Sequence, residues 1–107
     1  MKKRIYNVVT SSEALAMLSE HMAFVAKVNV QAAKGLREDC FSKIKSLEEM
    51  PYRCTVLEDT NFPYKKYRYL IFDCYALVFV VEEENQTVYV DYILDTRRDY
   101  SWLFSET

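Results

Sequence analysis

Glycine is almost absent from this chain. Gly35 is the only one, and Pro51 and Pro63 are the only prolines. So few turn formers exclude collagen-like and linker classes and argue for long regular elements. Histidine is as scarce: His21 stands alone. The three cysteines, Cys40, Cys54 and Cys74, are widely spaced, odd in number and without a C-x-x-C pair. They and one histidine cannot complete a zinc pattern, so they read as buried reduced thiols, and no metal or other cofactor is expected. Long apolar runs are missing too. Nothing approaches the ~18 residues of a membrane span. The apolar part of "MKKRIYNVV" at the start is too short for a signal peptide. A cytoplasmic protein with no membrane contact is the expectation.

What is present is enough apolar material for a core. The 107 residues fit one domain, 1–107, and half of them are hydrophobic, which argues against disorder. The net charge is −2. Free-standing nucleic-acid binders are usually basic, because phosphate neutralisation supplies most of their affinity, so autonomous RNA or DNA binding is disfavoured.

Residues 5–10, "IYNVVT", are short and β-prone, and Ser11 or Ser12 is placed to cap a following helix. From 12 to 28 two apolar rows run at helical spacing: Leu15, Leu18, Met22 and Val25, and Ala14, Met17, His21, Phe24 and Val28. So wide an apolar face implies burial on more than one side, or cover by a partner. Asn29 suits the cap of a second helix running to about Met50, with Ala33, Leu36, Cys40, Ile44 and Leu47 as its stripe. Pro51 should end it, since the residue before proline is pushed out of the helical region. Gly35 inside it costs about 1 kcal/mol relative to Ala, which close packing of the first helix would explain.

Residues 51–66 show no period, and a loop this long is often functional. Three strands follow at 67–72, 75–82 and 87–94. Asp73-Cys74 suits a two-residue turn and "EEENQ" a hairpin of four or five residues. The last strand alternates, with Val88, Val90, Tyr92 and Leu94 against Tyr89, Asp91 and Ile93. The middle strand is almost wholly apolar, as a central strand should be.

Four pieces in this order carry a resemblance: "KIKSLEEMPYR" at 43–53, "YRYLIF" at 67–72, "YALVFVVEEENQTVYV" at 75–90 and "ILDTRRDY" at 93–100. Together they resemble the RelE/ParE toxin superfamily of bacterial type II toxin–antitoxin systems, over nearly the whole chain. In that family a leucine-rich helix end and proline precede a Tyr-Arg strand, an apolar strand, an Asn-containing hairpin and a strand closing on Arg-Arg-Asp. The resemblance implies an α+β fold of order β-α-α-β-β-β, with two N-terminal helices packed on one face of a mainly antiparallel sheet. It also implies a cognate antitoxin that lays a helix and an extended segment over the toxin. Two activities are implied, since fold does not settle function. RelE-like members cut messenger RNA in the ribosomal A site without metal. ParE-like members bind and inhibit DNA gyrase. The endonuclease ranks first here, with ribosome and mRNA as partners. Gyrase inhibition ranks second, and a non-toxic antitoxin-binding relative third.

Metal-free RNA cleavage needs a base for the 2′-hydroxyl, a stabiliser of charge at phosphorus and an acid for the leaving oxygen. Arginine suits the middle role through its bidentate fork. The family positions point to Arg68 and to one of Arg97 and Arg98, the alternative being that Arg98 pairs with Asp99 or Asp95 and that Arg68 lies on a solvated strand face. Lys65 and Lys66 would add charge if they lie near. Tyr67, within a cluster of tyrosines and basic residues, is a substrate-stacking candidate, although the same mixture suits a protein interface. Tyr100 is a candidate acid/base or stacking group; the alternative is that it pins the C-terminus. Against the endonuclease pattern, Ala76 occupies a position where RelE-like members often carry arginine. His21 reads as structural, and Glu82, Glu83 and Glu84 as a solubilising hairpin tip.

Overall fold

A computed structural model describes residues 5–57 and 66–98. The chain runs β1 (Asn7–Thr10), α1 (Ser12–Ala26), α2 (Val30–Ser46), a short 3-10 turn (Pro51–Arg53), β2 (Thr55–Val56), β3 (Arg68–Phe72), β4 (Tyr75–Glu82) and β5 (Thr87–Asp95). The strands form one sheet in the order β1-β5-β4-β3-β2. β1 lies parallel to β5, and the other neighbours are antiparallel. The expected α+β architecture holds, with β2 added at the start of the stretch that showed no period. Both helices bury their stripes on one face: Ala14, Leu18, Leu36, Cys40 and Ile44 pack with Leu77, Phe79, Val88, Val90 and Ile93. β4 is central, and its residues Tyr75 to Phe79 are all buried.

Capping follows from side-chain chemistry. Ser11, not Ser12, caps α1. Its oxygen accepts from the Ala14 amide at 2.9 Å, and its hydroxyl donates to the Asp91 carbonyl at 3.1 Å. Asn29 caps α2 by accepting from the Ala32 amide. Only part of the wide apolar face of α1 is used. Ala14, Leu18 and His21 are buried, whereas Leu15 and Phe24 are exposed, and Val28 lies beyond the helix end.

Two expectations for α2 need correction. The helix stops at Ser46, a turn before Pro51. The amides of Leu47, Glu48 and Glu49 bond three residues back, tightening the end, and Met50 turns left-handed at φ 50°. The Arg53 guanidinium then donates to the carbonyls of Glu49 at 2.8 Å and Met50 at 3.1 Å, in the segment just past the helix end. Gly35 does not serve close packing either. A Cβ there would meet nothing within 4 Å. It borders a cavity of about 230 Å³ shared with Val25, Leu36, Phe72 and Tyr75.

The alternation expected for β5 also breaks. Phe79 faces Val90 but Val78 faces Tyr92, so Asp91 is an extra residue, a β-bulge. Before it, Val88 and Val90 face the helices. After it, Ile93 takes that face, while Leu94 joins Tyr67 and Val78 in a second cluster. Asp95 consequently pairs with Tyr75 on the helix side.

Gly35→Ala should raise stability by about 0.5–1 kcal/mol, because it removes a helix penalty without a clash. Urea unfolding measures this, and a lower midpoint than wild type would contradict it.

Candidate functional site

β5 delivers two arginines to the end of the sheet, where Asp95 organises them. The Asp95 carboxylate accepts from the Arg97 backbone amide at 3.0 Å and from Nε at 2.9 Å through Oδ1. Its Oδ2 accepts from Arg97 Nη2 at 2.9 Å. This is a bidentate fork closed over a turn that the same carboxylate caps. The Asp95 carbonyl accepts from the Arg98 amide at 2.9 Å, and the Thr96 amide and hydroxyl both donate to the Cys74 carbonyl at 2.8 Å. The turn is thereby tied to itself and to the β3–β4 connection. The hydrogen bonds from Arg97 hold the Asp95 carboxyl below the usual carboxylate range, against the opposing effect of burial. Beneath the turn, buried His21 donates from Nε2 to the Ile93 carbonyl at 2.8 Å, and its ring centre lies 5.3 Å from that of Tyr75. Arg98 is exposed, and its guanidinium has no hydrogen-bond or ion-pair partner among the described residues.

Arg68 belongs to a different cluster. Its Nη1 donates to the Cys54 carbonyl at 2.7 Å and to the Tyr52 carbonyl at 3.3 Å, and the guanidinium lies 5.0 Å over the Tyr52 ring. The Tyr52 and Tyr6 hydroxyls both donate to Glu83 Oε1, at 2.8 and 2.9 Å. Glu83 therefore holds the β4–β5 hairpin to the residue that leads into β1 and to the 3-10 turn. The hydrogen bond to Glu83 raises the Tyr52 pKa above its ordinary value.

The two arginine clusters do not converge. Arg68 faces Phe79 across the sheet, and Asp95 faces Tyr75. Four residues of β4 separate those levels, about 13 Å at ~3.3 Å per residue.

A family model for the ParE toxin of type II toxin–antitoxin systems, parDE, matches residues 8–100. The chain belongs to the ParE toxin family. Among solved structures, this toxin is similar to a chain of the chromosomal ParDE toxin–antitoxin system from P. aeruginosa. The TM-score is 0.65 at 15% identity, over 84% of this chain and 95% of the other. It is also similar to a chain of the RelBE2 toxin–antitoxin complex from Mycobacterium tuberculosis. There the TM-score is 0.57 at 17% identity, over 88% and 94% of the two chains. Identities this low speak to the fold. No curated protein sequence matched the chain.

The remaining candidates fall in several places. Tyr67, expected to stack on substrate, is 2% exposed, and its hydroxyl donates to Asp91 Oδ2 at 2.8 Å. Burial, followed by that bond, raises its pKa far above normal. The toxin uses this ring as core, because Val78 and Leu94 need cover on the face away from the helices. Lys66 is exposed, while Lys65 and Tyr100 lie outside the described residues. Ala76 is buried in β4 opposite Leu94. Burial pushes the Cys40 thiol up to about 11 and raises that of Cys54, as unreactive core thiols require. Among the described residues no group of three or more metal-ligating side chains comes together, and no helix is long and apolar enough to cross a membrane.

Sequence reasoning left two functional neighbours unplaced. His21 is far from Asp95 in the chain, and only folding α1 over β5 brings it beneath the arginine turn. Glu83, read as a solubilising residue, is the shared acceptor of two tyrosines. For Asp95 a signal did exist: an aspartate at a strand end two residues before an arginine is a turn-capping pattern.

Because the folded pKa of Asp95 is depressed, its stabilisation is present above the unfolded value of ~3.9 and is lost as pH falls through the lower folded value. Arg97→Ala should make the acid side of the stability curve shallower. Urea midpoints between pH 6 and pH 2 test this; parallel curves for variant and wild type would refute it.

Proposed function

We propose that this toxin is neutralised in the cytoplasm by a cognate antitoxin and, once freed, acts by binding DNA gyrase, as ParE-type toxins do, rather than by cutting RNA. The observation that carries this reading is the state of Arg68. An endonuclease needs that fork on a phosphate, with Arg97 or Arg98 converging on the same atoms. Here Arg68 is anchored on two backbone carbonyls and a tyrosine ring, about 13 Å along the sheet from the arginine turn. This reading reverses the order favoured from sequence. Buried Ala76 supports the same direction, since that strand position supplies no cation.

Support for an antitoxin partner comes from both similar structures, which are named as toxin–antitoxin assemblies. The helix hairpin also leaves Leu15, Phe24, Val30 and Phe41 exposed. Lys27 lies over Phe24 and Arg37 over Phe41. Apolar groups flanked by cations suit an acidic amphipathic segment. The endonuclease stays as a second reading for one reason: Arg98 and Lys66 are exposed cations that a nucleic acid could meet.

Purified toxin should inhibit supercoiling by gyrase, and its induction in bacteria should raise a DNA-damage response with messages intact. Cleavage of messages at the ribosomal A site without that response would instead establish the endonuclease. A folded product that does neither would establish the antitoxin-binding relative. Arg68→Ala should lower stability by about 1–2 kcal/mol through its lost carbonyl bonds, and the folded protein should keep its activity on gyrase. Loss of that activity at unchanged stability would remove the basis of the proposal.

A further inference from the structure

The adjacent arginines of the β5 turn are chemically alike and structurally opposite. We infer that they divide the labour of binding. Asp95 and Arg97 are positioning residues, and Arg98 alone meets an anionic group of the target. The inference rests on the reading of this chain as a toxin that acts by binding.

Three observations lead to it. First, the Arg97 fork is already occupied. Nε and Nη2 each hold one oxygen of Asp95, which takes the side-on edge of the guanidinium and fixes its orientation, so that only the outer Nη edge is left for a second partner. Second, exposure within that pair is uneven. The Arg97 side chain is 61% exposed, but that of Asp95 is only 10% exposed. Withdrawing Arg97 toward a target would strip a largely covered carboxylate of its main donors. Third, the turn has a fixed shape. Asp95 accepts from the amides of Arg97 and Arg98, and Thr96 is bonded twice to the Cys74 carbonyl. Below it, the His21 bond to the Ile93 carbonyl fastens β5 to α1. Arg98 thus projects from a preformed turn, and little backbone ordering remains to oppose binding.

The charge of Asp95 makes the idea separable from simple neutralisation. A carboxylate beside an anion-binding arginine repels the anion. If Asp95 acted only through its charge, Asp95→Asn would strengthen the toxin. If it positions Arg98, the same change weakens the toxin despite removing a negative charge. Arg97→Lys gives a second, charge-neutral arm, because lysine keeps the charge but lacks the fork.

The test uses the full-length chain carrying Arg98→Ala, Arg98→Lys, Asp95→Asn or Arg97→Lys. Each is assayed for gyrase inhibition and for growth arrest at matched protein level, with thermal melts as a folding control. Arg98→Ala should weaken inhibition roughly tenfold or more at an unchanged melting temperature, with Arg98→Lys recovering part of it. Asp95→Asn and Arg97→Lys should each weaken inhibition several-fold. An arginine side-chain NMR spectrum supplies a readout independent of activity. The Arg97 Nε–H should exchange slowly in wild type and fast in Asp95→Asn, and the Arg98 Nε–H should exchange fast in both.

Stronger inhibition by Asp95→Asn, or full activity of Arg98→Ala, would overturn the division of labour while leaving gyrase binding intact. Rapid exchange of the Arg97 Nε–H in wild type would overturn it whatever the activity. RNA cleavage by wild type with gyrase untouched would instead sink the underlying reading, and the inference with it.

Discussion

One extra residue in β5 governs how the rest of this structure meets. Asp91 is opposite nothing in β4, and two separate parts of the chain converge on it. Its carbonyl accepts the hydroxyl of Ser11, whose oxygen in turn caps α1. Its carboxylate accepts the Tyr67 hydroxyl at the entry to β3. The bulge then reverses which β5 side chains face the helices. Without that reversal Ile93 would leave the core and Asp95 would lose its place beside Tyr75. A period-2 strand cannot put Val88, Val90 and Ile93 on one side; a strand with one inserted residue can.

That shift explains why the arginine turn is built as it is. Asp95 arrives on the helix side, where it is largely covered, and a covered carboxylate needs donors. Arg97 supplies them from two positions along the chain, through both its backbone amide and its fork. Arg98, one residue on, contributes only its amide. The contrast between the two side chains is therefore set by the carboxylate, not by any difference between the arginines. The same logic operates at the other end of the sheet. The tightened end of α2 and the 3-10 turn leave carbonyls open, and Arg53 and Arg68 bond them. Two guanidinium groups, those of Arg53 and Arg68, thus serve as fasteners for backbone carbonyls.

These fastening roles mark where sequence reading reaches its limit. Regular elements were readable because apolar periodicity and caps are local: the Asn29 cap, the stripe from Ala33 to Leu47 and the span of β4 all stand as expected. The bulge was not readable. Val88, Val90, Tyr92 and Leu94 alternate without a break in the sequence, and only the pairing with β4 shows that Tyr92 and Leu94 turn away. The end of α2 was misplaced for a similar reason. Proline forbids a helical Met50, but the chain had already tightened from Leu47 onward, closed by an arginine seven residues beyond Ser46. Gly35 suggested a close contact, and none is there. For the site, the family pattern led to the arginine turn. It could not tell which arginine pairs with a carboxylate among the described residues, because that depends on where Asp95 falls after a bulge.

The relation between fold and activity follows from the same point. A scaffold of two helices on a twisted sheet is compatible with cleavage and with binding, and similarity of shape extends to members of both named systems. What separates the two is the set of donors left over after the backbone has been served. Cleavage requires several groups placed within hydrogen-bond reach of one phosphate. Binding requires one or two anchors held rigidly at a surface. In this chain the 3-10 turn takes Arg68, Asp95 takes Arg97, and the core takes Tyr67. Arg98 remains outside those assignments, on a turn fixed from three directions. On the reading proposed above, a preorganised cation of this kind suits an anchor for a protein partner better than a catalyst of RNA cleavage.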